Sequence, residues 1–486
     1  MTRSNLNACK VSFRDFIFRQ HGIWLFTAVG VLIIHFIVIK TFFPHAFIVE
    51  DSHHYIDTAR NNLEITAWPI GYSKLLEWLH FLTKSDWIVV FFQFILLETS
   101  ILYFYFSVLF LFQPGKWISI VILFFLIMNP FVLCISNYIM TDAIFAALTV
   151  IWFTLTLWHL YIPRVIHLYL LILLICLMFT IRFYAIFYPL ITIPVIIFTR
   201  TSWKIKLSSI ALGILLIVGF VQYTENLFLK KMGQRLFSPF SGWQLAGNAL
   251  IMYRHVSNRE NDTPPDSLRP LHQQVLHDLN NMPSENTIPD DFLHFYFTWN
   301  PASPLMKYSH VSFPDNVTFE NEIKWASVAK LYHDYGVYLI TKHPFAFIHY
   351  YIGQNIDWFI KPRVEYSNVY PSGQYYVFNN ARDWFGYRSN WISCSTTKIY
   401  SISYYPLFLT LINLILIVGI VGFFYCGCYK DNSLAKKAVI FIGIYWLANF
   451  LFIITIAPVL IRYDLSTMII GISFAPILLE QIYFSK

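Results

Sequence analysis

Long apolar runs separated by short polar turns make up most of the chain. They fall at about 22–43, 87–111, 117–135, 143–162, 166–181, 184–199 and 207–225, then at 403–425, 438–456 and 465–482. Each approaches the roughly 20 residues a helix needs to cross a bilayer's hydrocarbon core. A helix also satisfies its own backbone hydrogen bonds there. The pattern predicts an all-α polytopic membrane protein with about ten spanning helices. Between 226 and 402 the pattern fails: polar residues rise, Pro and Asn are frequent, and no clean run appears. That stretch is expected to form a large, mainly helical domain outside the bilayer, with helices at 266–280 and 322–341. The aromatic segment from His343 opens with Pro344, suited to a helix start, and is expected to rest on the membrane surface. The parts are therefore 1–225, with a first outer loop at 44–86, then 226–402 and 403–486. Within that loop Pro69 and Gly71 break the chain. Residues 72–83 follow as a predicted interfacial helix, with Tyr72, Leu75, Leu76 and Leu79 on one face.

Charge sets the orientation. Only 13% of the 486 residues are charged, against about 25% in soluble proteins. Arg3, Lys10, Arg14 and Arg19 precede the first run; Arg200, Lys204, Lys206 and the Lys430–Lys437 loop are also basic. Basic short loops stay on the cytoplasmic side. This accounts for the net charge of +7 without nucleic acid, for which no basic-aromatic groove stands out. The polar N-terminal twenty residues read as an uncleaved cytoplasmic leader. Of six cysteines only Cys394 falls in a long outer stretch, so no disulfide framework is implied. Cys426 and Cys428 read as ordinary thiols.

The candidate chemistry starts at Phe47–Arg60, FIVEDSHHYIDTAR. Glu50 and Asp51 sit side by side just past the first run, where crowded carboxylates are costly. Parity of the runs puts Glu50, Asp51, Asp142, Arg182 and Arg462 on one face of the membrane. Such a set suits transfer from a phosphate-linked donor: a carboxylate removes a proton from the acceptor, and arginines hold the departing phosphate. Each residue also has a plainer reading. The acids can be loop acids, Asp142 can cap a helix, and the arginines can snorkel to headgroups. Glu98, inside the second run, reads as a packing or cavity residue. His53 and His54 with Asp51 suggest a metal, but adjacent histidines point apart on regular backbone.

These residues resemble the GT-C superfamily of membrane glycosyltransferases, which includes protein O-mannosyltransferases and lipid A aminoarabinose transferases. The resemblance rests on Glu50-Asp51 and the D-S-x-x-Y-x-x-x-A-like run from Asp51 through Tyr55 to Ala59. It also rests on Pro69-Ile-Gly-Tyr72, Met140-Thr-Asp142, Arg182 with Pro189, and Arg462-Tyr463. It covers 20–225 and 440–475; the domain at 226–402 matches no known module. The resemblance implies an inverting glycosyltransferase using a polyprenyl-phosphate-linked sugar, with a lipid, glycan or protein as acceptor, on the extracytoplasmic face. Asp51 is the implied base, with Glu50 its alternative because many members read Asp-Glu. Asp142 is a second acid near the acceptor or a metal. Arg182, Arg462 and Tyr463 bind the donor phosphate; Tyr55, Tyr72 and His54 line the substrate pocket. No cofactor is assigned, and a divalent metal at Asp51 and Asp142 stays open. The rivals are an O-antigen ligase or polymerase and a lipid-linked sugar transporter or flippase. The expected location is a bacterial inner membrane.

Overall fold

The computed structural model describes residues 11–282, 288, 292–312, 320–362, 374–393, 404–430, 433–456 and 459–484. Residues 1–10 of the leader, Cys394 and the turn at 457–458 lie outside the described residues. Eight described helices are long and apolar enough to cross a membrane: Gly22–Phe42, Asp86–Phe112, Lys116–Ser136, Thr141–Tyr161, Trp203–Met232, Tyr405–Tyr425, Ser433–Ile456 and Ile461–Phe484. The chain thus has the build of a helical integral membrane protein. The other two expected runs also form helices, but shorter ones, Val165–Ile181 and Phe183–Phe198. The second opens with a tight 3-10 turn and carries Pro194 inside.

Two runs differ from the expected pattern for local reasons. The third breaks at Asn129-Pro130 into Lys116–Ile127 and Pro130–Ser136. The Asn129 side chain accepts from the Phe131 and Val132 N–H groups, and Pro130 fits the first helical position because it lacks an N–H. The seventh extends to Met232 and stops at Gly233, whose φ of 69° suits glycine.

The Thr141–Tyr161, Ile461–Phe484 and Asp86–Phe112 helices form the bundle's centre: 83%, 72% and 67% of their most apolar windows are buried. Trp203–Met232 and Gly22–Phe42, at 17% and 22%, lie at its edge. Their exposed Ile33, Ile34, Ile214 and Leu215 would face lipid rather than water. At one end, the Glu480 carboxylate accepts from the Gly115 N–H at 3.0 and 3.2 Å. The other end carries the separate domain.

That domain is organised by Pro239–Tyr253 lying along Glu320–Lys342. The first of these helices was not expected. A Cβ at Gly242 would strike the Ala329 carbonyl, and one at Gly336 would sit 2.9 Å from Leu245. Glycine at both places lets the backbones touch. Trp243, Leu250, Tyr332 and Tyr335 fill the core there. The expected helices at 266–280 and 322–341 appear as Asp266–Leu268 with Arg269–Asn280, and as Glu320–Lys342. From Pro344 to Ile360 the chain is helical throughout. It exposes Phe345 and Ile348 and buries Tyr351 and Phe359. Its Asn355 side chain donates to the Ile454 carbonyl at 2.9 Å, docking it on a span end. A small antiparallel ribbon pairs Gln374–Tyr376 with Trp391–Ser393.

The predicted interfacial helix is Gly71–Leu82. A Cβ at Gly71 would lie 2.6 Å from the Thr180 carbonyl oxygen, so glycine lets this helix start against the end of Val165–Ile181. Tyr72, Leu76 and Leu79 face the core, while Trp78, Phe81 and Leu82 are exposed.

Candidate functional site

The site is built by fixing two loops to each other. Lys40 ends the first span and is only 3% exposed. Its ammonium donates to Asn137 Oδ1 at 3.2 Å, and Asn137 Nδ2 donates to the His45 carbonyl at 3.3 Å. The Asp86 carboxylate accepts from the Ala46 N–H. Phe47 then pairs in parallel with Tyr138: the Phe47 N–H donates to Asn137 O at 2.8 Å, and the Ile139 N–H donates to Phe47 O at 3.0 Å. Gln93, from the second span, donates to the carbonyls of Ser136 and Tyr138 at 2.9 and 2.8 Å. Its own carbonyl accepts from Tyr72 Oη at 2.7 Å.

Two helices therefore begin side by side, Glu50–Arg60 and Thr141–Tyr161. In the first, the buried Ser52 hydroxyl accepts from the Val49 N–H at 3.0 Å and fixes the opening turn. Asp51 and Asp142 are each the second residue of their helix. The positive end of the helix dipole favours a carboxylate there.

The guanidinium groups arrive from elsewhere. Arg182 stands at the C-terminus of Val165–Ile181, where the dipole favours a cation. Its Nη2 lies 2.6 Å from Asp142 Oδ1, its Nε donates to Thr141 Oγ1 at 2.7 Å, and its Nη1 donates to Tyr184 Oη at 3.3 Å. The rings of Phe145, Tyr184 and Tyr463 flank it. Arg462 sits in the turn Ile461–Asp464. Its Nη1 is 3.3 Å from Asp142 Oδ2 and its Nη2 is 3.7 Å from Asp51 Oδ2. The Tyr463 ring lies 5.0 Å from it.

The four charges are not equally accessible. The Asp142 side chain is 1% exposed, Arg462 10%, Arg182 12% and Asp51 25%. Asp142 is a buried carboxylate gripped by two guanidinium groups, and Asp51 is the accessible one. The plainer readings of three residues are corrected by this. Asp142 makes no capping bond, and neither arginine snorkels out, since both are committed to buried ion pairs.

The remaining sequence candidates are placed as follows. Glu50 is exposed and lies near His53 and Tyr375. Tyr55 is 7% exposed. Its hydroxyl bonds Thr141, and burial raises the phenol's pKa. Tyr72 is wholly buried, edge-on to Tyr55 at 5.0 Å, so it backs Tyr55 rather than lining open space. His54 packs against Trp68 with ring centroids 4.3 Å apart. Burial lowers its pKa, while the Asp51 and Asp57 charges oppose that shift. His53 turns to Asn380, at 2.8 Å. Glu98 is buried in its span, at 4% exposure.

Among the described residues no three His, Cys, Asp or Glu gather at one point. Between Asp51 and Asp142, the bridging position belongs to Arg462. Sequence reasoning missed Lys40, Asp86, Gln93 and Asn137, the residues that join the two loops. Gln93 did carry a signal, as an amide inside an apolar run.

Fold and site together define an integral membrane protein with a partly buried acid–guanidinium centre at the end of its helical bundle. Comparison of the chain with family models, curated proteins and solved structures finds no match.

Proposed function

We propose that the chain is a GT-C-like membrane glycosyltransferase with ten spans, in a bacterial inner membrane. It moves a sugar from a polyprenyl-phosphate donor to an acceptor on the extracytoplasmic face. The observation that supports this reading is the meeting of Asp51, Asp142, Arg182 and Arg462 from four separate segments. Asp51 acts as general base. Its carboxylate takes the proton of an acceptor hydroxyl, and the oxygen's electron pair attacks the anomeric carbon. The bond from that carbon to the phosphate oxygen breaks, and its electron pair leaves with the polyprenyl phosphate. A single displacement of this kind inverts the anomeric centre. Arg462, between the two acids, neutralises charge on the departing phosphate. Asp142 acts as a positioning residue, aiming Arg462 and holding Arg182 in place.

The test is turnover by the purified full-length protein in liposomes containing a panel of polyprenyl-phosphate sugars together with lipid, glycan and peptide acceptors, read as released polyprenyl phosphate. Wild-type protein releases it from at least one donor, and Asp51→Asn does not. Absence of release from every donor, or equal release by Asp51→Asn, would overturn the reading. Arg462→Ala is expected to raise the apparent donor KM.

A further inference from the structure

One helical turn beyond Asp51 lies an aromatic floor that the reaction above does not use. Trp68 from the first loop, Phe240 and Trp299 have ring centroids 5.6, 5.6 and 5.8 Å apart, with planes within 10 to 28° of parallel. A column of three stacked rings would place its outer pair twice as far apart as its neighbours. Three nearly equal separations instead describe rings tiled in a staggered shelf. Trp325 lies 4.9 to 6.1 Å from all three, tilted against them. It is buried, and Trp243 backs it at 4.0 Å. The three shelf rings are only half-buried.

His54 lies over part of the Trp68 ring, centroids 4.3 Å apart, and borders the shelf there, leaving Phe240 and Trp299 as its open part. Residues three apart on a helix share a face, about 5–6 Å between Cβ atoms, so Asp51 stands on the same helix face as His54. An apolar floor bordered by an imidazole and carboxylates matches a molecule with one C–H face and a rim of hydroxyl groups. The electron-rich ring face attracts polarised C–H groups, and the rim groups accept from hydroxyls. An acyl chain would leave those polar groups unpaired, which is costly.

We propose that the shelf of Trp68, Phe240 and Trp299 seats a saccharide ring of the acceptor, with a hydroxyl directed at Asp51. The inference rests on the transferase reading but makes a claim of its own, that the acceptor is a glycan. The experiment is calorimetric titration of the full-length protein in nanodiscs with maltotriose, cellotriose, chitotriose and mannotriose, without donor. At least one should bind. Phe240→Leu and Trp299→Leu keep apolar bulk but lose the ring faces, and each should weaken that binding at least tenfold. Phe240→Trp should retain it. Binding by none of the four, or unchanged affinity in both Leu variants, would overturn the proposal. Polyprenyl phosphate released with acceptors present, measured in parallel, isolates the transferase reading: its absence in wild type counts against transfer, whatever the shelf binds.

Discussion

Two buried charge clusters stand close together at the domain end of the bundle, and they are used differently. Around Lys40 and Asp86 the charges are spent on the chain itself. Lys40 holds Asn137 and lies over the Trp87 ring, and Asp86 holds the Ala46 N–H. Around Asp142 the chain spends one carboxylate on two guanidinium groups and leaves a second carboxylate, Asp51, accessible. A charge fully satisfied by its surroundings builds a loop. A charge held at 3.7 Å and a quarter exposed is available to something else.

The strongest way to break the comparison is Asp142→Ala. It leaves two buried guanidinium groups without their carboxylate and should cost about 3–5 kcal/mol, read as a lower unfolding midpoint in detergent. Asp51→Asn should behave in the opposite manner. Its accessible pair is worth no more than about 1 kcal/mol, yet loss of a general base should slow transfer by about 10²–10⁴-fold. Equal destabilisation by both variants would erase the distinction. Asp86→Ala should cost about 1–3 kcal/mol by stranding the Ala46 N–H; proteolysis within 44–50 should rise with it.

The smallest expected effect is a pH slope. His54 titrates below its ordinary 6.5 because it is buried. The unfolded chain therefore takes up the proton first, and stability falls as pH drops below about 6.5. Above that value His54 contributes no slope. His54→Gln should flatten the acid limb of unfolding midpoint against pH and leave the neutral limb unchanged.

The positions of the acids and arginines were legible because sidedness alone determines which span ends share a face. Asp142 and Arg182 flank apolar runs, and counting runs suffices to place them together. What joins them was not legible. Gln93 bonds two carbonyls and a tyrosine hydroxyl contributed by two other segments, and no local pattern announces such partners. The helix Pro239–Tyr253 was hidden because Gly242 and Gly247 lower helix propensity, whereas the fold uses Gly242 for backbone contact. The aromatic shelf draws Trp68, Phe240 and Trp299 from distant segments, so its rings look like scattered hydrophobic residues in the sequence.

The pairing of Phe47 with Tyr138 works as a ruler. Each is followed four positions later by an acid, Asp51 in one arm and Asp142 in the other. Because the arms run parallel, equal counting brings the two carboxylates level. One residue inserted at Ile48-Val49, in extended chain ahead of the helix, would displace the following helix by about 3.3 Å and carry Asp51 off Arg462. The six letters between ruler mark and acid, three in each arm, should therefore tolerate substitution far better than any change in their number.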